Sequence, residues 1–216
     1  MSADVLHWLA AVPQTRPVAL LLRHSVRDPL PAGELGYGLA LNDDGVLRAR
    51  QLAQVVGERL RSVHSSPLQR CLDTAGLLAA AAPPGLAVVT DRMLGDPGAY
   101  VVDRGLAGEN WKRLGSEGIM ERLCTTDEEL PGTLAARVGA QRLVEHMLAV
   151  AGARAGLHVF VTHDILLAIT AARFLGPPAG PQRWPAYLEG AFFWRDADGL
   201  HAAYRDRHRG GISAPD

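Results

Sequence analysis

Two short apolar runs that each end in a histidine constrain the fold of this chain more than any other feature. The first is VALLLRH, which ends at His24, and the second is VFVTH, which ends at His163. Short apolar runs bounded by charged or turn-forming residues are typical of buried parallel strands. In open parallel sheets, ligands bind beyond the carboxyl ends of the strands. The two histidines are therefore candidates for a common site.

Helical patterns separate the apolar runs along the chain. The segment LNDDGVLRARQLAQVVGERL has apolar residues near helical spacing with Asn42 as N-cap, and TLAARVGAQRLVEHMLAVAG and DILLAITAARFLG are also predicted helices. In SSPLQRCLDTAGLLAAAA, Ser66, Pro67 and Gln69 fit the N-cap, N1 and N3 positions of a capping box. Arg70 would then be the N4 residue, about one turn above the positive end of that helix.

The alternation of strands and helices predicts a three-layer α/β/α sandwich with a doubly wound, mostly parallel sheet. LAVVT at 86–90 is a further predicted strand, and two aromatic-rich runs around Asp198-Gly199 predict a terminal hairpin. The length suits one domain, predicted over 1–216. Residues 91–131 have many glycines and a weak pattern, which we interpret as an insert that shapes a pocket.

Charge composition limits the partners of this chain. Its 22 basic and 23 acidic residues give a formal net charge of −1, so neither nucleic acid nor an anionic membrane is predicted as the main partner. Lys112 is the only lysine, and it matches neither a phosphate-binding P-loop nor a Schiff-base site. Arg23 and Arg27 lie close to His24 in sequence, and guanidinium groups suit phosphate oxygens. Any phosphate is therefore expected to be bound by arginine.

Cysteine and histidine spacing gives no indication of a metal or cofactor. Cys71 and Cys124 are far apart and lack a CxxC or Cys/His ligand pattern, which favours two reduced core cysteines. The remaining histidines show no ligand spacing with one another, so we predict no metal and no cofactor. The N-terminus has no basic n-region, and no stretch approaches the roughly 18 apolar residues of a membrane span. These features predict a cytoplasmic protein.

Four segments, in the expected order, resemble the motifs of the histidine phosphatase superfamily, which includes phosphoglycerate mutases and histidine acid phosphatases. RHSVRDP resembles the RHG signature in its longer RHGxRxP form, and LNDDGVLRARQLA resembles the LTxxGxxQA helix. SSPLQRCLDTA resembles SSPxxRxxQTA, and VTHD resembles the second-histidine motif. The resemblance extends from residue 18 to about 176. It implies a phosphoglycerate mutase-like fold and a phosphohistidine intermediate.

The resemblance also implies a role for each matching residue of the pocket. His24 is expected to be the phosphorylated nucleophile. The phosphate pocket is expected to consist of Arg23, Arg27, Arg70 and His163.

The proton donor has three candidates. Asp164 is similar to the proton donor of the acid phosphatase branch, whereas the other branch places its acid earlier, after the SSP helix. Asp96 or Glu109 could fill that earlier position. We favour Asp164, because a general acid should lie near the leaving group. A carboxyl at the start of a helix can also be a simple N-cap.

Ser25 departs from the family pattern, since it stands where the signature has glycine. Its Cβ could crowd the phosphate, or its hydroxyl could act as a donor.

Three functions of the protein stay open. The favoured one is a metal-independent phosphoric monoester hydrolase acting on a small-molecule phosphomonoester or a phosphoprotein. The others are a phosphomutase of the same fold and a non-catalytic pseudophosphatase that binds phosphorylated ligands.

Other residues of interest have alternative explanations. Arg27 could form a surface salt bridge with Asp28 or Glu34 instead of binding phosphate. Tyr100 and Trp111, in the predicted insert, are the best aromatic candidates for lining a substrate cleft.

Overall fold

A computed structural model of the protein describes residues 3–30, 36–82, 85–126, 128–177 and 184–213. These residues form a seven-stranded sheet in the order β3-β2-β4-β1-β5-β6-β7. Its strands are β1 (Pro17–Arg23), β2 (Leu60–Ser65), β3 (Val88–Thr90), β4 (Gly156–Thr162), β5 (Gly190–Asp196), β6 (Gly199–Tyr204) and β7 (Arg207–Ile212). The helices are α1 (Ala3–Ala11), α2 (Asp43–Val56), α3 (Gln69–Ala80), α4 (Arg104–Thr125), α5 (Ala136–Ala151) and α6 (Asp164–Leu175). Over the described ranges, no helix is both long and apolar enough to cross a membrane.

The parallel half of the sheet brings the two predicted histidines together. Strands β3, β2, β4 and β1 pair in parallel, and β5, β6 and β7 continue the sheet in antiparallel pairing. Arg23 at the end of β1 pairs with Thr162 at the end of β4. The next backbone N–H, that of His24, donates to the carbonyl of Thr162 at 3.0 Å. His24 and His163 therefore lie at the same edge of the sheet.

Side chains of β1 alternate between the two faces of the sheet. Val18, Leu20 and Leu22 belong to a buried core that includes residues of α1, α2 and α3. Ala19 and Leu21 belong to a second core that includes residues of α4, α5 and α6. Helices thus cover both faces, and the predicted three-layer α/β/α sandwich is confirmed.

Several predicted boundaries are confirmed by local hydrogen bonds. The side chain of Asn42 accepts a hydrogen bond from the N–H of Gly45 at 3.0 Å and caps α2 as predicted. Helix α5 ends before Gly152, which has a positive φ of 59°. The predicted terminal hairpin β5–β6 is present: Asp196 pairs with Gly199, and the chain turns at Ala197-Asp198 between them.

The helix after the SSP motif begins two residues later than predicted. Helix α3 starts at Gln69 with Leu68 as N-cap and without a side-chain capping bond, so the predicted capping box at 66–69 is wrong. The chain is still extended at Ser66, whose N–H donates to a carbonyl of β4 at 3.0 Å. As a result Arg70 is the second residue of the helix and not the N4 residue.

The sequence analysis does not predict strand β2, because its polar residues do not give the apolar pattern of a buried strand. It carries Arg61, Ser62 and His64 between β3 and β4. The Ser62 hydroxyl lies 2.8 Å from Nδ1 of His158 on β4, so polar groups satisfy one another inside the sheet. An apolar pattern cannot reveal a strand of this kind.

The 91–131 segment contains a long helix that its sequence pattern does not predict. Helix α4 is kinked at Gly115, where φ is 65°. Tyr100 is 4% exposed, and its hydroxyl lies 2.7 Å from that of Thr170. Tyr100 therefore belongs to the core, and its predicted place in a cleft is wrong. Trp111 is exposed on α4.

Candidate active site

His24 lies directly after β1 and is held in one tautomer. Its Nδ1 lies 2.7 Å from the carbonyl oxygen of Ser25. Because a carbonyl can only accept, Nδ1 carries the proton. Its Nε2 accepts a hydrogen bond from Nε of Arg70 at 3.1 Å. The lone pair of His24 therefore lies on Nε2, on the side of the arginine.

The surroundings keep His24 neutral. Burial is the main cause that lowers its pKa well below the usual value, and the nearby His163, Arg70 and Arg23 act in the same direction. The hydrogen bond to the Ser25 carbonyl opposes them. A neutral imidazole with an oriented lone pair is the form that can attack phosphorus.

His163 faces His24 in the complementary tautomer. The two ring centroids are 5.7 Å apart. Nδ1 of His163 accepts from Arg70 at 3.2 Å, so its Nε2 carries the proton and donates to the Ser66 hydroxyl at 2.8 Å. Burial lowers the pKa of His163 to about 3, and Arg70, Arg23 and Arg27 contribute. Ser66 thus orients the second histidine instead of capping α3.

Arginine side chains surround the two histidines and leave donors unpaired. Arg70 donates to both imidazoles and also to the carbonyl of Gly36 at 2.8 Å. The Nε atoms of Arg23 and Arg27 are buried and have no hydrogen-bond partner among the described residues. Buried donors without a partner are costly, and a bound anion would satisfy them. The cluster is therefore suited to phosphate.

Arg27 lies at the outer side of this cluster. Its Nη1 donates to the backbone carbonyl of Asp28 at 2.7 Å. Across the described ranges, Arg27 forms no ion pair with the Asp28 carboxylate, and Glu34 lies outside those ranges. Its guanidinium instead acts on the pocket, where it contributes to the lowered pKa of His163.

Asp164 is joined to the pocket through Arg23. Its Oδ2 accepts from Nη2 of Arg23 at 2.8 Å, and its side chain is 27% exposed. Its Oδ1 accepts from the N–H of Ile165 at 2.9 Å. The N-cap of α6 is His163, so Asp164 is the first helical residue and not the cap.

Asp96 lies on another side of the pocket. Its backbone neighbour Gly95 packs so closely on His163 that a Cβ there would lie 2.8 Å from Nε2. The Asp96 carboxylate accepts from Tyr37 at 3.1 Å, from Arg92 at 3.1 Å and from Arg104 at 2.7 Å. Both of its oxygens are therefore engaged by donors.

Glu109 is far less engaged with the pocket. Its side chain is 69% exposed on α4 and pairs with Lys112 at 2.8 Å. No contact recorded for the described residues joins it to His24 or to the arginines.

Ser25 does not present its hydroxyl to the anion site. The side chain is fully buried and donates to the carbonyl of Gly45 on α2 at 2.7 Å. Its N–H donates to the Thr74 hydroxyl at 3.0 Å. A Cβ at Gly45 would collide with the carbonyl of Val26, which explains the glycine in LNDDG. Ser25 therefore ties the histidine loop to α2 and α3.

Tyr187 is a pocket residue that sequence reasoning missed. Its ring lies 4.1 Å from Cζ of Arg23 and 5.7 Å from the ring of His24. It belongs to no motif, and the chain segment before β5 has no periodic pattern that would single it out. Within the described residues, no group of three His, Cys, Asp or Glu side chains is arranged to hold a metal ion.

Comparison with known protein families identifies the family of this chain. The family model described as "Histidine phosphatase superfamily (branch 1)" matches residues 20–188. The chain therefore belongs to the histidine phosphatase superfamily. No curated protein matches the sequence.

Solved structures from mycobacteria share the fold over most of their length. One is mycobacterial hydrolase 2, with a TM-score of 0.57 and 20% identity over 93% of this chain and 92% of that chain. Another is a mycobacterial glucosyl-3-phosphoglycerate phosphatase, with a TM-score of 0.54 and 21% identity over 93% of this chain and 100% of that chain. The same phosphatase with inorganic phosphate gives a TM-score of 0.55 and 22% identity over 91% and 96% of the two chains. At such identities the likeness concerns the fold.

Proposed function

We propose that the protein hydrolyses phosphomonoesters through a phosphohistidine on His24, without a metal ion. The observation that carries this proposal is the lone pair on Nε2 of a neutral, buried His24 within a cluster of arginines. Two of those arginines keep a buried Nε without a partner. A phosphate dianion supplies what this cluster lacks, because its oxygens accept from several guanidinium donors at once.

In the first step Nε2 of His24 attacks phosphorus as the P–O bond to the leaving group breaks. The arginines stabilise the negative charge on the equatorial oxygens, as phosphoryl transfer requires, and Nδ1 of His163 orients Arg70 for this role by accepting its hydrogen bond. Arg70 must release Nε2 of His24 for this attack, and the entering phosphate gives its donors a new acceptor. The proton remains on Nδ1 of His24, and its hydrogen bond to the Ser25 carbonyl stabilises the positive charge of the phosphohistidine.

The leaving oxygen takes its proton from Asp164, whose carboxylate first receives that proton from the monoanionic form of the entering ester. Asp164 shares Arg23 with the incoming phosphate, whose oxygens compete for that guanidinium and weaken its hold on the carboxylate. The carboxylate of Asp96, in contrast, accepts from Tyr37, Arg92 and Arg104, so both of its oxygens are held by donors outside the phosphate cluster. In the second step the carboxylate of Asp164 takes a proton from water, which attacks the phosphohistidine and releases inorganic phosphate.

The proposed substrates are small phosphomonoesters or a phosphoprotein. The similarity in fold to a glucosyl-3-phosphoglycerate phosphatase supports the search among sugar and glycerate phosphates. The two cysteines are free and buried, which supports a cytoplasmic location. The Ser25 hydroxyl is bound to the carbonyl of Gly45 and is not directed at the anion site, which supports a catalytic pocket over a pseudophosphatase.

The experiment that tests the proposal is phosphate release from a panel of alkyl, sugar, glycerate and aryl phosphates and phosphopeptides. Each is assayed with and without a chelator. We expect release from at least one class at a rate that the chelator leaves unchanged. Loss of activity with chelator would overturn the metal-free mechanism, and an isomerised phosphate ester detected by ³¹P NMR would instead identify a mutase.

A further inference from the structure

A short turn before β5, residues 185–189, holds an unfavourable backbone conformation beside the pocket. The N–H of Glu189 donates to the carbonyl of Ala186 at 3.1 Å and closes the turn. Leu188 has a positive φ of 59°, which a bulky residue rarely adopts. Leu188 is also fully buried, and burial of its side chain offsets the strain. Strain that the surroundings maintain is a recurrent feature of functional sites.

The buried carboxylate of Glu189 fixes the position of the turn. Glu189 is 6% exposed. It accepts a hydrogen bond from the Tyr204 hydroxyl at 2.6 Å and pairs with Arg205 at 3.1 Å. Both partners lie at the end of β6, so the turn is anchored to the antiparallel half of the sheet.

Three contacts that the turn makes at the pocket go to Arg23, and the ring of Tyr187 also lies 5.7 Å from the ring of His24. The carbonyl of Pro185 accepts from Nη1 of Arg23, and the carbonyl of Glu189 accepts from its backbone N–H at 2.9 Å. The ring of Tyr187 lies 4.1 Å from its Cζ. The cation is thus covered on one face by an aromatic ring, a geometry that attracts it electrostatically.

We infer that Tyr187 is a positioning residue that orients the Arg23 guanidinium for phosphate binding. The inference rests on the proposed function of the pocket. One terminal nitrogen of Arg23 donates to the carboxylate of Asp164, and the other donates to the carbonyl of Pro185. The ring of Tyr187 restricts the plane of the guanidinium, and the unpaired Nε is left for the anion. Loss of the ring would let Arg23 adopt several orientations around Asp164.

The test measures the affinity of the whole protein for inorganic phosphate by calorimetry, so that it does not depend on turnover. Tyr187→Leu removes the ring, and Tyr187→Phe is the matched control that keeps it. We expect leucine to weaken phosphate binding about threefold to tenfold, the range of a half-buried cation–π contact. Phenylalanine should stay within about twofold of wild type. Tyr187→Met replaces the leucine variant if that variant does not fold.

A double-mutant cycle with Arg23→Ala shows whether Tyr187 acts through Arg23. If it does, Tyr187→Leu has no further effect on phosphate affinity once Arg23 is alanine. An equal loss in both backgrounds, or an unchanged affinity in Tyr187→Leu, would overturn the inference while the phosphatase proposal stands. If wild type neither binds phosphate nor hydrolyses any ester, the proposed function fails and the inference fails with it.

Discussion

The protein has two clusters of buried neutral histidines, and they differ in what surrounds them. In the first, His24 and His163 face Arg70, and neighbouring arginines keep unpaired donors. In the second, His64 and His158 lie on β2 and β4 with Ser62 between them. Burial lowers the pKa of the histidines in both clusters.

The hydrogen bonds of the second cluster form a continuous series that ends at a backbone carbonyl. Nε2 of His158 donates to the carbonyl of Arg154 at 2.9 Å, so its Nδ1 accepts from the Ser62 hydroxyl at 2.8 Å. Ser62 in turn accepts from Nε2 of His64 at 3.1 Å. The polar atoms of this cluster hydrogen-bond one another. Burial is the largest cause of the lowered pKa in both clusters, so neutrality does not distinguish them; the arginines with unpaired donors make the first cluster the candidate for phosphate chemistry.

The largest difference between the clusters should appear in activity. We expect His24→Asn to reduce kcat by at least about 10³-fold, because the nucleophile is removed. His158→Asn, the matched control, should stay within about threefold of wild type, since its cluster has no role in the reaction. Phosphate release from the best substrate, together with unfolding midpoints, checks both. A comparable loss in the two variants would remove the distinction.

The next effect concerns the carboxylates beside the pocket. Asp164→Asn should slow hydrolysis of alkyl phosphates about 10²–10⁴-fold, because their leaving oxygen needs a proton. Esters of acidic phenols should lose much less, since a phenolate leaves without one. Asp96→Asn is the control, and its loss should not depend on the leaving group. If the leaving-group dependence appears in Asp96→Asn instead, the proton donor has been misassigned.

Both histidine clusters should contribute to the pH dependence of the free energy of unfolding. A histidine with a lowered pKa in the folded state binds its proton mainly in the unfolded state, so the free energy of unfolding rises with pH. Stability should therefore be fully present above about pH 6.5 and fall as the pH drops below it, with His163 contributing a slope that approaches about 1.4 kcal/mol per pH unit.

Urea unfolding at about pH 7.5, 6 and 5 measures this slope. His163→Asn should make it shallower, because the pKa of His163 is lowered to about 3 and its contribution spans the whole interval. An unchanged slope in that variant would show that His163 is not held neutral.

The smallest expected effect is that of Ser25→Gly. Its hydroxyl is bound to Gly45 outside the anion site, so kcat/KM should change by less than about threefold. The lost hydrogen bond should cost about 1 kcal/mol of stability. A large gain in activity would show that the serine Cβ crowds the phosphate after all.

The residues of the pocket were predictable because strand ends and motifs fix their positions. The carboxyl ends of β1 and β4 place His24 and His163, and the SSP motif places Arg70 near them. The error in the start of α3 did not matter for Arg70, since both N2 and N4 lie in the first turn. Sequence reasoning could not assign Ser66, because its hydroxyl is equally suited to capping a helix and to orienting His163.

The remaining parts of the molecule depend on contacts between distant segments. Strand β2 is stabilised by Ser62 and His158, which are 96 positions apart. Tyr187 reaches Arg23 only because the 185–189 turn folds back over β1. The choice between Asp164 and Asp96 depends on which arginines hold each carboxylate, and neither spacing nor composition contains that information.

The most direct test of the account is capture of the phosphoenzyme. The wild type is mixed with a ³²P-labelled substrate from the active class, quenched within milliseconds in alkali, and digested for mass spectrometry. We predict an acid-labile, alkali-stable phosphoryl group on His24 that forms and decays at rates compatible with turnover. Label on another residue, or full phosphate release with no labelled protein at any time, would contradict the central claim that His24 is the nucleophile.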